Sequence, residues 1–478
     1  MKKVLLLFCM GLSLQSMTAS EFNNNAKAVY NVAITSDGAQ WLDFASANFE
    51  GGEGTVESPY LINTPEQLAK LAKDVYDGKT YSGTYFKMVA DIDLNGHAWF
   101  PIGYKMETTG TSFAGKFDGD GHKIMNIKIP YEENYKGIGL FGNTEAGFEL
   151  RNLTIESGDI AGDMIVGSLV GSNYGIIENC VNKANVACLF YYVGGIAGSN
   201  YRTGEIRNCM NYGDVLAGYE SANGMSAGGV VGSNYNLVEE CANFGSIDSK
   251  TSGSGGVVAM LEGGVVRNCF NMGAVNGADR IGGIVGEVLG RGGNCEVYSC
   301  YNAGKIGDGS TAGGVLGLAM FQNMNKLDMH NIYYSSDSYS GSYGGNVADL
   351  FGAFQITDVS SMSADDMKAE SFVATLNAAS GSETDVWVAD TKNINNGYPV
   401  LSYMENQSTG ITSQKFNDNV KVYTTGGRIV VEGAEGKSMQ VYSVDGQMVY
   451  NGKAADLNPT SGMYIVRVNN KSYKLIVK

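Results

Sequence analysis

Short apolar runs separated by Gly and Asn recur along most of the chain and define one repeated unit. One copy runs from Val166 to Asn182, and a second runs from Val193 to Asn211. Taken at the first glycine of each copy, the unit recurs 27 to 34 residues apart, and self-similarity at this period indicates a solenoid. The copies that complete the series begin at Ala227, Ser254, Ile281 and Ala312, with a degenerate copy at Ile138.

The unit lacks the leucine-rich, ankyrin and tetratricopeptide signatures, and its pattern indicates strands joined by turns. Two apolar runs of about four to six residues alternate with Gly and Asn, and no run shows the longer 3.6-residue period of a helix. Rungs of this length predict an all-β fold, a right-handed parallel β-helix in which stacked rungs share one core. The expected β-helix covers residues 51–335.

One position of the unit carries cysteine in five copies and Ile or Leu in the others. Alternation of Cys with aliphatic residues indicates a small buried hydrophobe rather than a metal or redox site. A local Cys295–Cys300 disulfide is the alternative for that pair, although seven cysteines remain without Cys9 and cannot form a closed framework. The aligned residues are Ile127, Leu153, Cys180, Cys209, Cys241, Cys269, Cys300 and Ile332.

Two residues further on, the copies share an asparagine. Stacked Asn amides are expected to hydrogen-bond along the solenoid and to accept left-handed backbone at its corners. The column comprises Asn182, Asn211, Asn243, Asn271 and Asn302.

The flanking segments differ from the repeat. Thr64, Pro65 and Gln67 predict a capped helix that ends at Gly78 and covers the open end of the solenoid. Residues 336–412 are expected to close the far end of the solenoid and to form a linker. This segment includes a helix from Ser363, and Trp387 and the turn at 396–399 are expected to cover the far end. Residues 21–50 form a leader of unassigned role. Residues 413–478 alternate apolar and polar positions between Gly and Asn turns, which predicts a small Ig-like β-sandwich.

Several motifs occur in the order typical of one family. They are ADIDL at 90–94, WFPIG at 99–103, FAGKFDGDGH at 113–122 and GLFG at 139–142, followed by the repeated GGxxG and NCxN elements. In this order they resemble the GLUG-repeat β-helix proteins of bacterial surfaces, a module that also precedes some IgA-cleaving metallopeptidases. The resemblance covers residues 51–335 and implies a β-helix at a cell surface.

A second resemblance concerns the C-terminal module. VYSVDG at 441–446, GMYIVR at 462–467 and the terminal KLIVK resemble the C-terminal sorting domain of the type IX secretion system. The resemblance implies a Bacteroidota-like organism and export by that machinery through residues 413–478, followed by release or attachment at the cell surface.

The net charge and the N-terminal residues indicate which partners to exclude and where the protein is located. The net charge is −16, which argues against nucleic-acid and anionic-lipid partners. Residues 1–20 have Lys2 and Lys3 before an apolar run and small residues near Ala19, as a secretory signal peptide does. No later stretch is long and apolar enough to span a membrane. We therefore expect a secreted or outer-surface protein.

Candidate chemistry is sparse. The histidines, His97, His122 and His330, lack metalloprotease spacing, and we expect no metal, cofactor or catalytic residues. The Asp118–Gly121 segment resembles a calcium loop but lacks its later ligands, so a tight turn is expected. Asp91 and Asp93 alternate in a strand and could act as paired carboxylates only by analogy with other β-helix enzymes. No cluster of acids with Arg or Lys around a cleft is recognisable.

A binding surface is the preferred functional interpretation. Tyr174, Tyr201 and Tyr235 share one position in consecutive rungs, and Glu262 follows, which predicts a solvent-facing column that could contact sugar rings or a protein edge. The alternative is self-packing that stiffens the solenoid. The adjacent column (Asn173, Asn200, Asn234, Leu261, Val288) is expected to face inward. The predicted function is adhesin-like binding of a host protein or polysaccharide; the rivals are a polysaccharide-acting enzyme and a structural component of a surface assembly.

Overall fold

The computed structural model describes most of the chain from residue 38 onward. The signal-peptide prediction, Cys9 and residues 21–37 lie outside the described residues. The described ranges are 38–104, 110–131, 136–218, 225–320, 325–349, 353–407, 421–425, 428–432, 438–443, 448–453, 456–460, 462–468 and 471–477. They fall into two compact units, residues 1–408 and 409–478.

The first unit is a parallel β-solenoid of about ten turns, as the period predicts. Each full turn passes through four parallel sheets, called C, D, A and B in chain order. Sheet C contains Ile165–Gly167, Tyr192–Gly194, Ser226–Gly228, Ser254–Gly255, Ile281–Gly282 and Ala312–Gly313. Sheet D contains Phe141–Asn143, Val170–Asn173, Ala197–Asn200, Val231–Asn234, Val258–Leu261, Val285–Val288, Leu316–Met320 and Gly344–Ala348.

Sheet A is the longest and carries two short strands in most turns. Sheet B follows it and leads into the next turn. Sheet A contains Tyr60–Ile62, Tyr85–Met88, Ile92–Asp93, Lys116–Asp118, Lys123–Met125, Glu149–Arg151, Thr154–Ile155, Ile176–Glu178, Val181–Asn182, Glu205–Arg207, Met210–Asn211, Leu237–Glu239, Ala242–Asn243, Gly264–Arg267, Phe270–Asn271, Cys295–Asn302, Leu327–Ser335 and Phe354–Met362. Sheet B contains Ile127–Ile129, Gly158–Gly162, Asn185–Cys188, Val215–Ala217, Ile247–Ser249 and Val275–Gly277.

The repeat register is the one that the glycines predict. The first glycines of successive copies pair directly, for example Gly167 with Gly194 and Gly255 with Gly282. The solenoid also continues one turn past residue 335, because Leu327–Ser335 pairs in parallel with Phe354–Met362. This last turn lacks the repeat motif, so the predicted end of the β-helix at residue 335 is one turn too early.

The cysteine column exists as predicted from Leu153 to Ile332, but Ile127 does not belong to it. Lys123 pairs with Thr154, whereas Ile127 pairs with Gly158 in sheet B. The residue equivalent to Leu153 is therefore His122, five residues before Ile127. Asn126 and Ile127 resemble Asn152 and Leu153 in residue type, and both asparagines have positive φ. Asn126, however, lies at the later corner that leads from Lys123–Met125 into sheet B.

All seven described cysteines are buried free thiols, so Cys295 and Cys300 do not pair. Burial raises the pKa of Cys188 and Cys241 and raises that of Cys295 to about 12. We expect a Cys9→Ser variant to expose no thiol to Ellman's reagent when folded and seven when unfolded by guanidinium. Fewer than seven thiols in the unfolded, unreduced protein would reveal a disulfide and contradict this assignment.

The asparagine column forms the predicted amide ladder. Each amide nitrogen donates to the amide oxygen of the next rung at 2.7–2.8 Å, from Asn182 through to Asn302. The expectation of left-handed backbone in this column is wrong. Positive φ falls three residues earlier, at Asn179, Asn208 and Asn268, because the chain turns sharply there, just before the cysteine position.

Asn243→Ala is expected to destabilise the protein by about 2 kcal/mol. Asn243 is fully buried, accepts from Asn211 and donates to Asn271 at 2.7 Å. The cost stays moderate because Asn211 also donates to the Gly213 carbonyl and Asn271 also accepts from the Gly273 amide. Urea denaturation measures it, with Asn276→Ala, outside the ladder, as the control. Equal losses for both variants would contradict a specific role for the ladder.

The predicted N-terminal helix spans Pro65–Tyr76. Thr64 caps its N-terminus, and the Thr64 hydroxyl accepts a hydrogen bond from the backbone N–H of Gln67. Gln67 Oε1 accepts from Asn63 rather than from Thr64, so the expected capping box differs in one bond. Leu68, Leu71 and Val75 pack in the core that runs through the solenoid. That the helix covers the open end stays a prediction, as does the right-handed coil.

The segment after the solenoid was expected at its far end, but it packs along the outer face of sheet A. The predicted helix after Ser363 is divided in two, at Ala364–Met367 and Glu370–Ala378. Trp387 and Tyr398 pack against an outward-facing column of sheet A. The remaining elements of the first unit are a 3-10 helix at Trp41–Phe44, strands at Trp387–Val388 and Val400–Leu401, and a helix at Ser402–Gln407.

The second unit consists of antiparallel strands. A small core includes Ile429, Val441 and Val466. Lys421–Thr425 pairs with Arg428–Glu432, and a four-stranded sheet contains Ser438–Ser443, Met448–Lys453, Gly462–Val468 and Lys471–Val477. Its Ig-like arrangement stays a prediction.

Candidate functional site

The tyrosine column (Tyr174, Tyr201, Tyr235) follows the last strand residues of sheet D. Those residues, Asn173, Asn200 and their equivalents, are fully buried, as expected for the inward column. The parallel pairing therefore places the three tyrosines above one another on the outside of the solenoid. Sheet D thus fixes the spacing of the rings.

The rings stack on each other. Tyr174 and Tyr201 have centroids 4.5 Å apart and planes 10° apart, and Tyr201 and Tyr235 have centroids 5.8 Å apart. Stacking occupies both faces of Tyr201, and Gly292 lies against Tyr235. Tyr174 is 38% exposed. Its ring has one face toward Tyr201 and the other toward the preceding rung, so it is the open end of the stack.

Glu262 continues the column but is not solvent-facing, contrary to expectation. Its side chain is fully buried and receives the Arg291 Nε hydrogen bond at 2.9 Å, while Arg291 is 58% exposed. The charge of Glu262 is thus matched by an arginine from the following rung, 29 residues later. Hydrogen bonding to Glu262 raises the pKa of Arg291, so the guanidinium group stays charged at neutral pH.

A second buried carboxylate lies nearby. Glu287 accepts two hydrogen bonds from Arg280 at 3.0 and 3.2 Å. Burial raises the pKa of Glu287, and Arg280 and Arg291 oppose that rise. Burial and the Glu262 carboxylate also raise the pKa of Tyr192 to about 12. We call Glu262, Arg280, Glu287 and Arg291 the acid–arginine cluster.

The acid–arginine cluster was not predicted from the sequence, in which no such grouping is recognisable locally. Glu287 occupies a column that holds Ser199 and Ser233 in earlier rungs. The sequence carries one sign of this cluster. Glu287 replaces serine in one rung, and Glu262 replaces tyrosine in the neighbouring rung. Aligning complete rungs, rather than motifs, would have brought these residues together.

The other candidate residues have local structural partners. Asp91 contacts His122 at 3.1 Å and Asp93 accepts from Asn126 at 2.8 Å, so the two carboxylates bind different residues of the next rung. Asp118 accepts from the Asp120 amide and forms the expected tight turn. Within the described ranges, no group of three His, Cys, Asp or Glu is placed to hold a metal ion.

Comparison with known proteins supports a GLUG-repeat β-helix protein. Residues 191–215 match the family model "The GLUG motif". Halomucin of Haloquadratum walsbyi is 29% identical over an alignment of 249 residues, and the match covers 49% of this chain and 3% of halomucin. The "Putative Gly-rich membrane protein" of Evansella cellulosilytica is 38% identical over 144 residues, 28% of this chain and 15% of that protein. The chain therefore spans only a small part of either relative.

Among solved structures, the chain is similar to one described as a "putative immunoglobulin A1 protease from Bacteroides ovatus". The identity is 18%, the TM-score is 0.46, and the match covers 74% of this chain and 95% of that chain. In the described part of this chain, the helices are all too short or too polar to cross a bilayer.

Proposed function

We propose that the chain is a secreted or cell-surface binding protein of adhesin-like character, with a host protein or a polysaccharide as its ligand. The proposal also includes removal of a signal peptide at residues 1–20 and export by type IX machinery that recognises residues 413–478. Similarity to halomucin and to a membrane protein supports a place at the cell envelope. The sequence motifs of the C-terminal unit support the export route.

The observation that carries the binding function is the open end of the tyrosine column. Tyr174 keeps one ring face uncovered by the other tyrosines and is partly exposed, while Tyr201 stacks on its other face. A preorganised aromatic face offers contact area at a low entropic cost. The same stack also stiffens the solenoid, so Tyr201 serves mainly as the support for Tyr174.

The experiment is a glycan and host-matrix array with the full chain, beside the Tyr174→Ala, Tyr201→Ala, Tyr235→Ala triple variant. Binding by the wild type that is lost in the triple variant, with an unchanged circular dichroism spectrum, is the expected result. Unchanged binding would place the site elsewhere. No binding, together with self-association in sedimentation, would favour a structural surface component.

A polysaccharide-acting enzyme is the second candidate, and the acid–arginine cluster favours it. The cluster combines two carboxylates with two arginines, the residue types that acid–base chemistry on an acidic sugar uses. Both carboxylates are, however, engaged by arginine, which favours a structural role. The test is release of reducing ends or unsaturated products from a polysaccharide panel, with Glu287→Gln as the comparison. Product formation that depends on Glu287 would replace the binding proposal.

A further inference from the structure

A groove lies between the outer face of sheet A and residues 363–407, the segment that packs along the solenoid. Its volume is about 510 Å³. The apolar part of its lining comprises Val181 and Met210 of the solenoid and Ile394 and Met404 of the later segment. All of these residues belong to the first unit. We call this cavity the lysine groove because two lysines, Lys123 and Lys183, also line it.

The polar lining of the lysine groove has more positive than negative charge. Lys123 and Lys183 both bind Glu156, with Nζ–Oε distances of 3.1 and 3.0 Å. Although burial raises it, the pKa of Glu156 is held below its usual value by these two ammonium groups. One carboxylate therefore neutralises only one of two lysines. The lysine side chains are 44% and 41% exposed, so their remaining N–H groups are open to an anion.

An aromatic ring forms one wall of the groove. Tyr212 stacks on Phe244 of the next rung, with centroids 4.6 Å apart and planes 3° apart. Asn182 pairs with Asn211, so Lys183 is the equivalent of Tyr212 in the preceding rung. The ring face opposite Phe244 therefore points toward Lys183 and into the groove. Tyr212 is 40% exposed, which leaves that face accessible.

An aromatic face, an apolar floor and an excess ammonium group together suit one chemical class. The C–H face of a pyranose ring packs on an aromatic ring, and a carboxylate on the same sugar binds a lysine. We propose that the lysine groove binds a carboxylate-bearing sugar unit of an acidic polysaccharide, with Tyr212 under the ring and Lys183 and Lys123 on the carboxylate. This site is separate from the tyrosine column and does not depend on its proposed role.

The test is titration of the full chain with a galacturonic acid hexamer and with a hyaluronan hexamer. Each is compared with its methyl ester, which keeps the sugar and removes the charge. At least one acid is expected to bind, with its ester at least tenfold weaker. Lys183→Met and Tyr212→Leu should each weaken that binding about tenfold. Lys305→Met, an exposed lysine outside the groove, should leave it unchanged.

Glu156→Gln supplies a gain-of-affinity test that misfolding cannot imitate. Removing the internal carboxylate frees both ammonium groups, so acid binding should tighten several-fold and depend more steeply on salt. Binding of neither acid, equal binding of acid and ester, or weaker binding by Glu156→Gln would each overturn the proposal. The triple tyrosine variant should bind the acids like the wild type, so failure of the array experiment and failure of this one are distinguishable.

Discussion

Gly255→Ala is expected to destabilise the protein by at least about 3 kcal/mol, enough to reduce the yield of folded protein. A Cβ atom at this position would lie 1.8 Å from the Val258 carbonyl oxygen and 2.7 Å from the Gly286 amide nitrogen. One contact is within the same rung and the other is with the next rung. Both are with backbone atoms held in parallel sheets, so neither can move without breaking the stack.

Gly253→Ala is the matched control for this prediction. It lies two residues earlier in the same rung, and its nearest neighbour to an added Cβ is the Arg280 carbonyl oxygen at 3.5 Å. We expect a change within about 0.5 kcal/mol, which chemical denaturation followed by circular dichroism measures. Similar midpoints for the two variants would show that the glycine column is not a steric requirement of the corner.

Trp387→Ala is expected to cost about 3–5 kcal/mol, mainly by releasing residues 363–407 from the solenoid. Trp387 is 1% exposed, its ring centroid lies 5.5 Å from that of Tyr301, and its Nε1 donates to Ser299 Oγ at 3.3 Å. Removing the ring therefore takes away the largest fully buried side chain of the cluster shared by this segment and sheet A. The solenoid keeps its own core and should stay folded.

Hydrogen exchange with mass spectrometry distinguishes local from global loss. In Trp387→Ala, amides of residues 363–407 should lose protection while those of Val231–Asn234 keep it. Trp387→Phe retains an aromatic ring and should show a smaller effect. Uniform loss of protection throughout the first unit would mean that the segment is required for the solenoid to fold.

Periodicity predicted those parts of the fold that repeat. The glycine register, the buried cysteine column and the asparagine ladder each depend on a residue type returning at one position, and pairing in parallel sheets reproduces that spacing. The assignment of Ile127 to the cysteine column was wrong because Asn126 and Ile127 match Asn152 and Leu153 in residue type but lie at a different corner, where Ile127 pairs with Gly158. Motif alignment does not show which corner of a rung such a pair of residues occupies.

The remaining differences concern contacts that no repeat specifies. Residues 363–407 were expected at the far end, yet Trp387 packs against the side of sheet A, whose aromatic column is recognisable only once the rungs are aligned. Glu262 was interpreted as exposed because it is charged. The Glu262 side chain is instead buried against Arg291, which lies in the next rung. A residue that departs from the repeat pattern in one rung can therefore mark a contact that the repeat pattern alone does not predict.

The most direct test of the binding function is the affinity of the wild type, Tyr174→Ala and Tyr201→Phe for the strongest ligand found on the array. We expect a loss of about tenfold for Tyr174→Ala, because Tyr174 is the exposed ring at the end of the stack, and little change for Tyr201→Phe, which keeps the stack. Wild-type affinity in Tyr174→Ala, with its fold intact, would contradict the claim that the tyrosine column is the ligand-binding surface.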